Sequence, residues 1–258
     1  MLIINADDFG MSYEVNEAII KLFDIGLLDR CSIMVNMPLA KDTVQGINGN
    51  SIGNHIGLHI NLTEGKPITE KLKKTFFCGQ DGNLTLDNVN LKNRLLLSKY
   101  EKEAIAFEVS AQMQKYKELG FSLQHADSHN YSSADFSVSK IIIQQAMKNN
   151  FTSLRLAKNI RSYENDGMKY IYRKIVNCSI NRFNNRFNSS ESTDYFCSVH
   201  DLSYALKTND WSDRRVELMV HPYLDKNGDI IDHYTLEKLI DPLRELSHKM
   251  KRDITHIG

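Results

Sequence analysis

Charge of neither sign is in excess. Lys and Arg number 32, as do Asp and Glu, so formal net charge is zero. Nothing electrostatic therefore argues for nucleic acid or an anionic membrane as partner. Cysteine is sparse: Cys31, Cys78, Cys178 and Cys197 include no close pair of the kind that binds zinc or exchanges disulfides. They read as idle thiols in a reducing compartment. Proline occurs four times, so no Pro-rich linker divides the chain. No apolar run approaches the ~20 residues that a membrane span needs, and no internal repeat or heptad is visible. The opening Met1-Leu2-Ile3-Ile4-Asn5-Ala6-Asp7 lacks the basic start and long apolar stretch of a secretion signal. These absences predict a cytoplasmic protein with no membrane span and no nucleic-acid partner.

What is present is ordinary in bulk: 258 residues, 41% hydrophobic and 25% charged. That length suits one domain over 1–258, since single α/β barrels commonly run to ~250 residues. Short apolar runs alternate with segments of helical period. Leu2 to Ala6 reads as a buried strand. Val15, Ala18, Ile19, Leu22, Phe23 and Leu27 then recur at helical spacing. Strands are expected at Cys31–Val35, Ile56–Leu62, Phe121–Ala126, Ser153–Ala157, Val216–Val220 and Ile254–Ile257. Helices are expected at Glu101–Leu119, where Gly120 supplies a C-terminal cap, at Ser137–Asn149 and at Tyr234–Lys251. Two polar stretches interrupt, 63–98 and 158–192, the first read as a long loop and the second as containing some helix, loosely packed at the rim. The alternation predicts an α/β fold with parallel strands and covering helices. Open sheet and closed barrel remain equal at this point, and both place sites at the C-terminal strand ends.

Four polar clusters fall at such ends: Asn5-Ala6-Asp7-Asp8-Phe9-Gly10, Gly57-Leu58-His59-Ile60-Asn61-Leu62-Thr63, His125-Ala126-Asp127-Ser128-His129-Asn130, and Glu217-Leu218-Met219-Val220-His221-Pro222. Each has a structural alternative taken singly. An acid after a strand caps the next helix, and a histidine inside a buried strand is often a satisfied core residue. Four strand ends delivering Asp or His to one mouth is a different matter. One carboxylate and two imidazoles make a facial divalent-metal site with open positions. Such an ion acidifies bound water and polarises a carbonyl. A spare carboxylate can take the proton and a spare histidine can protonate a leaving amine. The inventory suits amide hydrolysis.

At these residues the chain resembles the YdjC-like carbohydrate deacetylases. The resemblance runs in matching order through Asn5 to Gly10, Ser32 to Pro38, Gly57 to Thr63 with Gly65-Lys66-Pro67, Asp127-Ser128-His129 and His221-Pro222. It implies a variant TIM-like barrel with one divalent ion, Mg²⁺ or Zn²⁺, at its mouth. It implies Asp8, His59 and His129 as ligands, Asp7 as general base and His221 as general acid. The substrate implied is an N-acetylated mono- or oligosaccharide, deacetylated to acetate and a free amino sugar. Asn61, Asp127, Asn130 and Arg155 are the expected substrate contacts, with Phe76, Phe77 and Tyr131 as candidate stacking surfaces. The chain departs from the family where Asn130-Tyr131-Ser132-Ser133 replaces further histidines and a proline, and where Tyr223 replaces glycine after His-Pro. Two rivals stand beside this reading: a metal hydrolase of another amide, ester or phosphoester, and a glycan-binding relative without chemistry. A homodimer is expected only because two-fold assemblies are common.

Overall fold

Leu2–Phe9 forms β1, an interior strand whose side chains are buried on both faces, as parallel strands enclosed on both sides are. The computed structural model describes residues 1–47, 51–86, 97–160, 167–211 and 213–252. After β1 come α1 (Tyr13–Asp24), β2 (Arg30–Ile33), α2 (Ala40–Ile47), β3 (Ile56–Ile60), α3 (Lys99–Glu118), β4 (His125–Ser128), α4 (Phe136–Lys148) and β5 (Ser153–Leu154). Then follow α5 (Gly167–Phe187), β6 (Tyr195–Ser198), α6 (Val199–Ala205), β7 (Val216–Val220), the antiparallel pair β8 (Pro222–Leu224) and β9 (Ile230–Asp232), and α7 (Ile240–Lys249). Seven strands make one all-parallel sheet in the order β5-β4-β3-β2-β1-β7-β6. It curls into a half-barrel, a TIM-like variant. Among the described residues no ladder joins β5 to β6. Two backbone bonds cross that gap instead: the N–H groups of Asn159 and Ile160 donate to Phe196 O at 3.1 and 3.4 Å.

The strands alternate between two kinds of burial. One face carries Ile4, Ala6, Cys31, Ile33, Leu58, Ile60, Ala126, Leu218 and Val220 into the apolar core. The helices meet that face; α1 presents Val15, Ala18, Ile19, Leu22 and Phe23 and begins at Ser12, whose side chain accepts from Val15 N. The other face carries Asn5, Asp7, Arg30, Ser32, His59, His125, Asp127, Ser153, Arg155 and Glu217, all buried. Register confirms a shared face: Asn5 pairs Arg30, His59 pairs Asp127, and His125 pairs Ser153. A TIM-type interior is usually filled by layers of branched apolar residues; here it is a packed polar layer.

Side chains fasten the segments that precede the site. In α3, which opens with a capping box between Ser98 and Glu101, buried Gln112 bonds both Asn61 N and Asn61 O. Glu108 accepts from Ile68 N and Thr69 N. The polar stretch from 63 is thus anchored at its start.

Several expectations need correction. The helix expected within 158–192 is present as α5, but its described residues are packed rather than loose. Its Val176, Ile180 and Phe183 are buried and its asparagines cap the sheet edge. Asn184 bonds Leu154 N and O, and Asn177 bonds Ala157 N and O, each at 2.7–2.8 Å. The strand expected from Phe121 starts at His125, because Tyr116 holds Leu123 O at 2.7 Å. The helix expected from Tyr234 starts at Ile240, after Leu236 at φ 60°. Strands β6, β8 and β9 and helices α2 and α6 were not anticipated. The expected strand Ile254–Ile257 lies outside the described residues. No helix among the described residues is long and apolar enough to cross a membrane. Cys31, Cys78 and Cys197 are buried and Cys178 is exposed.

Candidate metal centre and cleft

Two adjacent aspartates close β1, and adjacent residues on a strand face opposite ways. The sheet resolves this with an irregularity. The register to β2 slips between Ala6 and Phe9, and Asp8 adopts φ 70°. An aspartate tolerates that left-handed conformation better than most residues. Asp7 therefore stays on the polar inner face while the bulge swings Asp8 to the strand end. The turn is held by Met11 N donating to Asp8 O and by Gly10 N donating to Asn16 Oδ1.

Asp8 Oδ1 lies 3.1 Å from His59 Nε2 and 2.9 Å from His129 Nδ1, and the two nitrogens are 3.3 Å apart. Three donor atoms each ~2.1 Å from one ion and about 90° apart would be spaced by ~3.0 Å. The triangle fits a facial site. Asp8 Oδ1 is also buried without a well-directed hydrogen bond, as expected of a carboxylate oxygen aimed at a shared cation. Burial raises the Asp8 pKa, but the attraction of His129 and His59 outweighs it and holds the carboxyl well below the usual range. For His59 burial lowers the pKa, yet Asp127 and Asp7 push it up to about 10. His129 is likewise raised, burial being outweighed by Asp8 and Glu64. The field that favours a proton on these imidazoles equally favours a divalent cation in its place. Two other buried groups have comparable spacing, Asp7-His59-Asp127 and His125-Asp127-Glu217. The guanidinium of Arg155 pairs with carboxylates of both groups, and that of Arg30 with Glu217, so their negative charge is already met.

Supporting groups orient the triangle. Asp127 Oδ1 sits 2.6 Å from His59 Nδ1, fixing the proton there and leaving Nε2 for the ion. Glu64 Oε2 lies 3.0 Å from His129 Nε2 and does the same from the other side. Glu64 escaped the sequence reading because a lone Glu in a loop carries no pattern. Asp7 is gripped by both terminal nitrogens of Arg155 at 2.7 Å, and its Oδ1 also accepts from Asn5 Nδ2 at 2.7 Å. Burial raises its pKa, but Arg155 and then His59 bring it below the ordinary value, so it is ionised at neutral pH.

A cleft of about 310 Å³ opens over these groups, in the range of small-ligand sites. Asp7, His59, His129, Asn130, Tyr131, Arg155, Met219, His221, Asp232 and Tyr234 line it. His221, half-exposed at the strand end, has Nδ1 3.5 Å from Asp232 Oδ2 and its ring edge-on to Tyr234 at 4.5 Å. Burial raises the Asp232 pKa, but His221 and nearby N–H groups hold it low. Asp232 was also missed; it comes to His221 only through the β8–β9 hairpin.

Three expected substrate contacts take other roles. Asn61 is fully buried, accepting from Thr63 N and Glu64 N and donating to Glu64 O, so it shapes the turn that carries Glu64. Asp127 is occupied by His59 and Arg155. Arg155 reaches the cleft wall but spends its donors on Asp7, Asp127 and Glu217. Asn130 does line the cleft, donating to Thr63 Oγ1 at 3.1 Å. It and Tyr131 have φ of 51° and 55°, two consecutive left-handed residues directly after His129. Phe76 and Phe77 stack on each other at 4.5 Å and are not among the residues lining the cleft.

Comparison with known proteins follows the same line. The family described as YdjC-like protein matches residues 1–253. A protein named carbohydrate deacetylase from Vibrio cholerae serotype O1 is 33% identical over 147 residues, 57% of this chain and 55% of the relative. One so named from Thermoanaerobacter pseudethanolicus is 30% identical over 155 residues, 58% of this chain and 57% of the relative. In these alignments the chain spans little more than half the relatives' length. Carbohydrate deacetylase 2 of Listeria innocua is 29% identical over 233 residues, 87% of this chain and 81% of the relative. A crystal structure from Enterococcus faecalis V583, of a protein provisionally described as a cellobiose-phosphate cleavage protein, superposes with TM-score 0.70 at 17% identity, covering 99% of this chain and 97% of that one. At that identity the likeness concerns fold.

Proposed function

Because the chain belongs to the YdjC-like protein family, we propose that it is a metal-dependent carbohydrate N-deacetylase, releasing acetate and a free amino sugar from an N-acetylated saccharide. One observation carries this reading. The Asp8-His59-His129 triangle, with an orphaned carboxylate oxygen, lies beside a spare ionised acid in a ligand-sized cleft. A divalent cation, Mg²⁺ or Zn²⁺, held by those three residues supplies polarisation of the acetamide carbonyl and acidification of water.

The protein's own groups do the rest. Asp7 is the general base: its Oδ2 accepts from Arg155 Nη1 and keeps a second lone pair for a proton. Its basicity is modest because Arg155 lowers its pKa, so its contribution comes from placement more than strength. His221 is the general acid toward the departing amine. Asp232 near Nδ1 orients the ring, leaving Nε2 as the proton donor. Asn130 and Tyr131, with Tyr234 opposite His221, form the wall available to the sugar. The phosphoester alternative is disfavoured because Arg155, the cation paired with Asp7, is already neutralised by three carboxylates.

The test is acetate release from a panel of N-acetylated sugars with Zn²⁺ or Mg²⁺ supplied. Activity is expected in the wild type, and Asp7→Asn should cut it by roughly 10²- to 10⁴-fold while the protein still takes up metal. A bound saccharide that stays fully acetylated over long incubation would refute the proposal in favour of a binding protein. Removal of His59 or His129 should lower metal content by elemental analysis; unchanged content refutes the ligand set.

A further inference from the structure

Arg155 crosses the barrel interior from just after edge strand β5 to grip Asp7 on β1. A long side chain spanning that gap needs its far face fixed. Arg155 Nε donates to Glu217 Oε1 at 2.6 Å. Glu217 Oε2 is in turn paired with Arg30 Nη2 at 2.7 Å. Arg30 Nε donates to Asn5 Oδ1 at 3.1 Å, and Asn5 Nδ2 donates to Asp7 Oδ1 at 2.7 Å. The five residues Asp7, Arg155, Glu217, Arg30 and Asn5 thus form a closed ring. Glu217 is fully buried and Arg30 is 2% exposed. Neither is among the residues lining the cleft.

We propose that Glu217 is a positioning residue for the reaction, fixing the plane of Arg155 and through it the carboxylate of Asp7. This rests on the reading of Asp7 as the base. The guanidinium is planar and rigid, so holding Nε sets the direction of both terminal nitrogens at once. Those nitrogens make the bidentate grip that aims Asp7. The Arg30–Asn5 arm meets the same carboxylate from the other side, so the ring restrains Asp7 at two points. Stability alone is a weak account of the cluster, because buried ion pairs are often no better than well-packed apolar residues. Barrel interiors of this type are ordinarily filled that way. Glu217 meets the two arginines on different oxygens, Arg155 on Oε1 and Arg30 on Oε2; in an amide one of those positions becomes a donor facing a donor.

The test uses the full-length, metal-loaded enzyme and acetate release from short N-acetylglucosamine oligomers. Glu217→Gln should lower kcat by roughly 10- to 100-fold, the scale of an ångström-sized misplacement, with KM within about twofold and metal content unchanged. In an Asp7→Asn background the same change should alter the residual rate less than about twofold, because residues acting as a unit are non-additive. If Glu217→Gln does not fold, Arg30→Lys gives the same reading from the other end of the ring: charge is kept, the fork is lost, and kcat falls with KM unchanged. Wild-type kcat in a folded, metal-loaded variant overturns the proposal. So does an equal loss with and without Asp7, which marks a general structural effect. If the wild type itself releases no acetate from any N-acetyl sugar, the deacetylase reading fails; an active wild type with undiminished variants sinks the positioning role alone.

Discussion

Asp127→Asn is the sharpest probe of how the site is built. Asp127 touches no ion in the proposed site, yet its two oxygens serve two masters. Oδ1 lies 2.6 Å from His59 Nδ1, and Oδ2 lies 2.7 Å from Arg155 Nη2 with Asn5 Nδ2 at 3.4 Å. An asparagine has one oxygen for both tasks. If that oxygen faces His59, its amide hydrogens confront Arg155, donor against donor. If it faces Arg155, its amide donates to His59 Nδ1 and drives the ring proton to Nε2, the atom that should meet the cation. Both arrangements cost binding energy. Losing such an outer partner typically weakens metal affinity 10- to 100-fold, or about 1.4–2.7 kcal/mol. The assay is a Zn²⁺ competition titration against a chelating indicator at fixed pH, with near-UV circular dichroism to establish folding. Asp7→Asn is the internal control: Asp7 contributes no atom to the triangle, so its affinity should stay within about twofold of wild type. Folded Asp127→Asn binding as tightly as wild type would refute the reasoning, and so would Asp7→Asn losing as much as Asp127→Asn.

Other consequences follow for the scaffold. Asn184→Ala strips both partners from the buried backbone of Leu154 and should cost about 2–4 kcal/mol in urea unfolding, given ~1–3 kcal/mol per orphaned group; a loss below ~0.5 kcal/mol would show the edge needs no such cap. Gly57→Ala places a methyl 3.0 Å from His125 O, a backbone atom that cannot swing aside, and should lower stability by ~1–3 kcal/mol; an unchanged melting temperature would refute that contact. Glu217 has its pKa lowered from 4.5 to about 2, burial being outweighed by Arg155 and Arg30. A depressed carboxyl stabilises fully above its unfolded pKa, and that share, about 3 kcal/mol, is lost as pH falls from 4.5 toward 2. The stability gap between wild type and Glu217→Gln should therefore close over that window in acid titrations of unfolding, and a gap constant from pH 6 to 2 would contradict it.

Much of the architecture was legible in hydrophobic period. The runs Leu2–Ala6, Cys31–Val35, Ile56–Leu62 and Val216–Val220 each overlap an observed strand, because a buried strand flanked by helices cannot hide its apolar face. The failures share a cause. β6 spells Tyr-Phe-Cys-Ser, with partly exposed ends, so no run of apolar residues advertises it. α5 falls where some helix was expected, but with Asn and Arg through its length its tight packing was not. Its asparagines read as loop formers locally, but Asn177 and Asn184 face the edge of the sheet and complete its hydrogen bonding. Tertiary need overrode local preference there, and only coordinates show which backbone groups were waiting for partners.

The site divides along the same line. Asp7, Asp8, His59, His129 and His221 stood out because Asp and His are rare at the ends of buried strands, and the structure brings all five together around or beside one cleft. Their roles were less legible than their identities. Asn61 and Asp127, from the same motifs, and Arg155, after its own strand, were expected to touch substrate; the hydrogen bonds they make run to neighbouring side chains and turns. Polarity at a strand end says that a group needs a partner; it does not say whether the partner is ligand or protein. The answer lies in the inner face of the sheet, where Arg30, Asn5, Glu217 and Arg155 alternate with apolar residues at a period of two. That alternation reads in sequence as an ordinary half-exposed strand. Only the curling of the sheet encloses the polar face, and enclosure converts exposed charges into groups that must satisfy one another. A half-barrel with a charged interior therefore has the proposed base, Asp7, gripped from below by the fold itself, which ties its placement to residues outside the cleft.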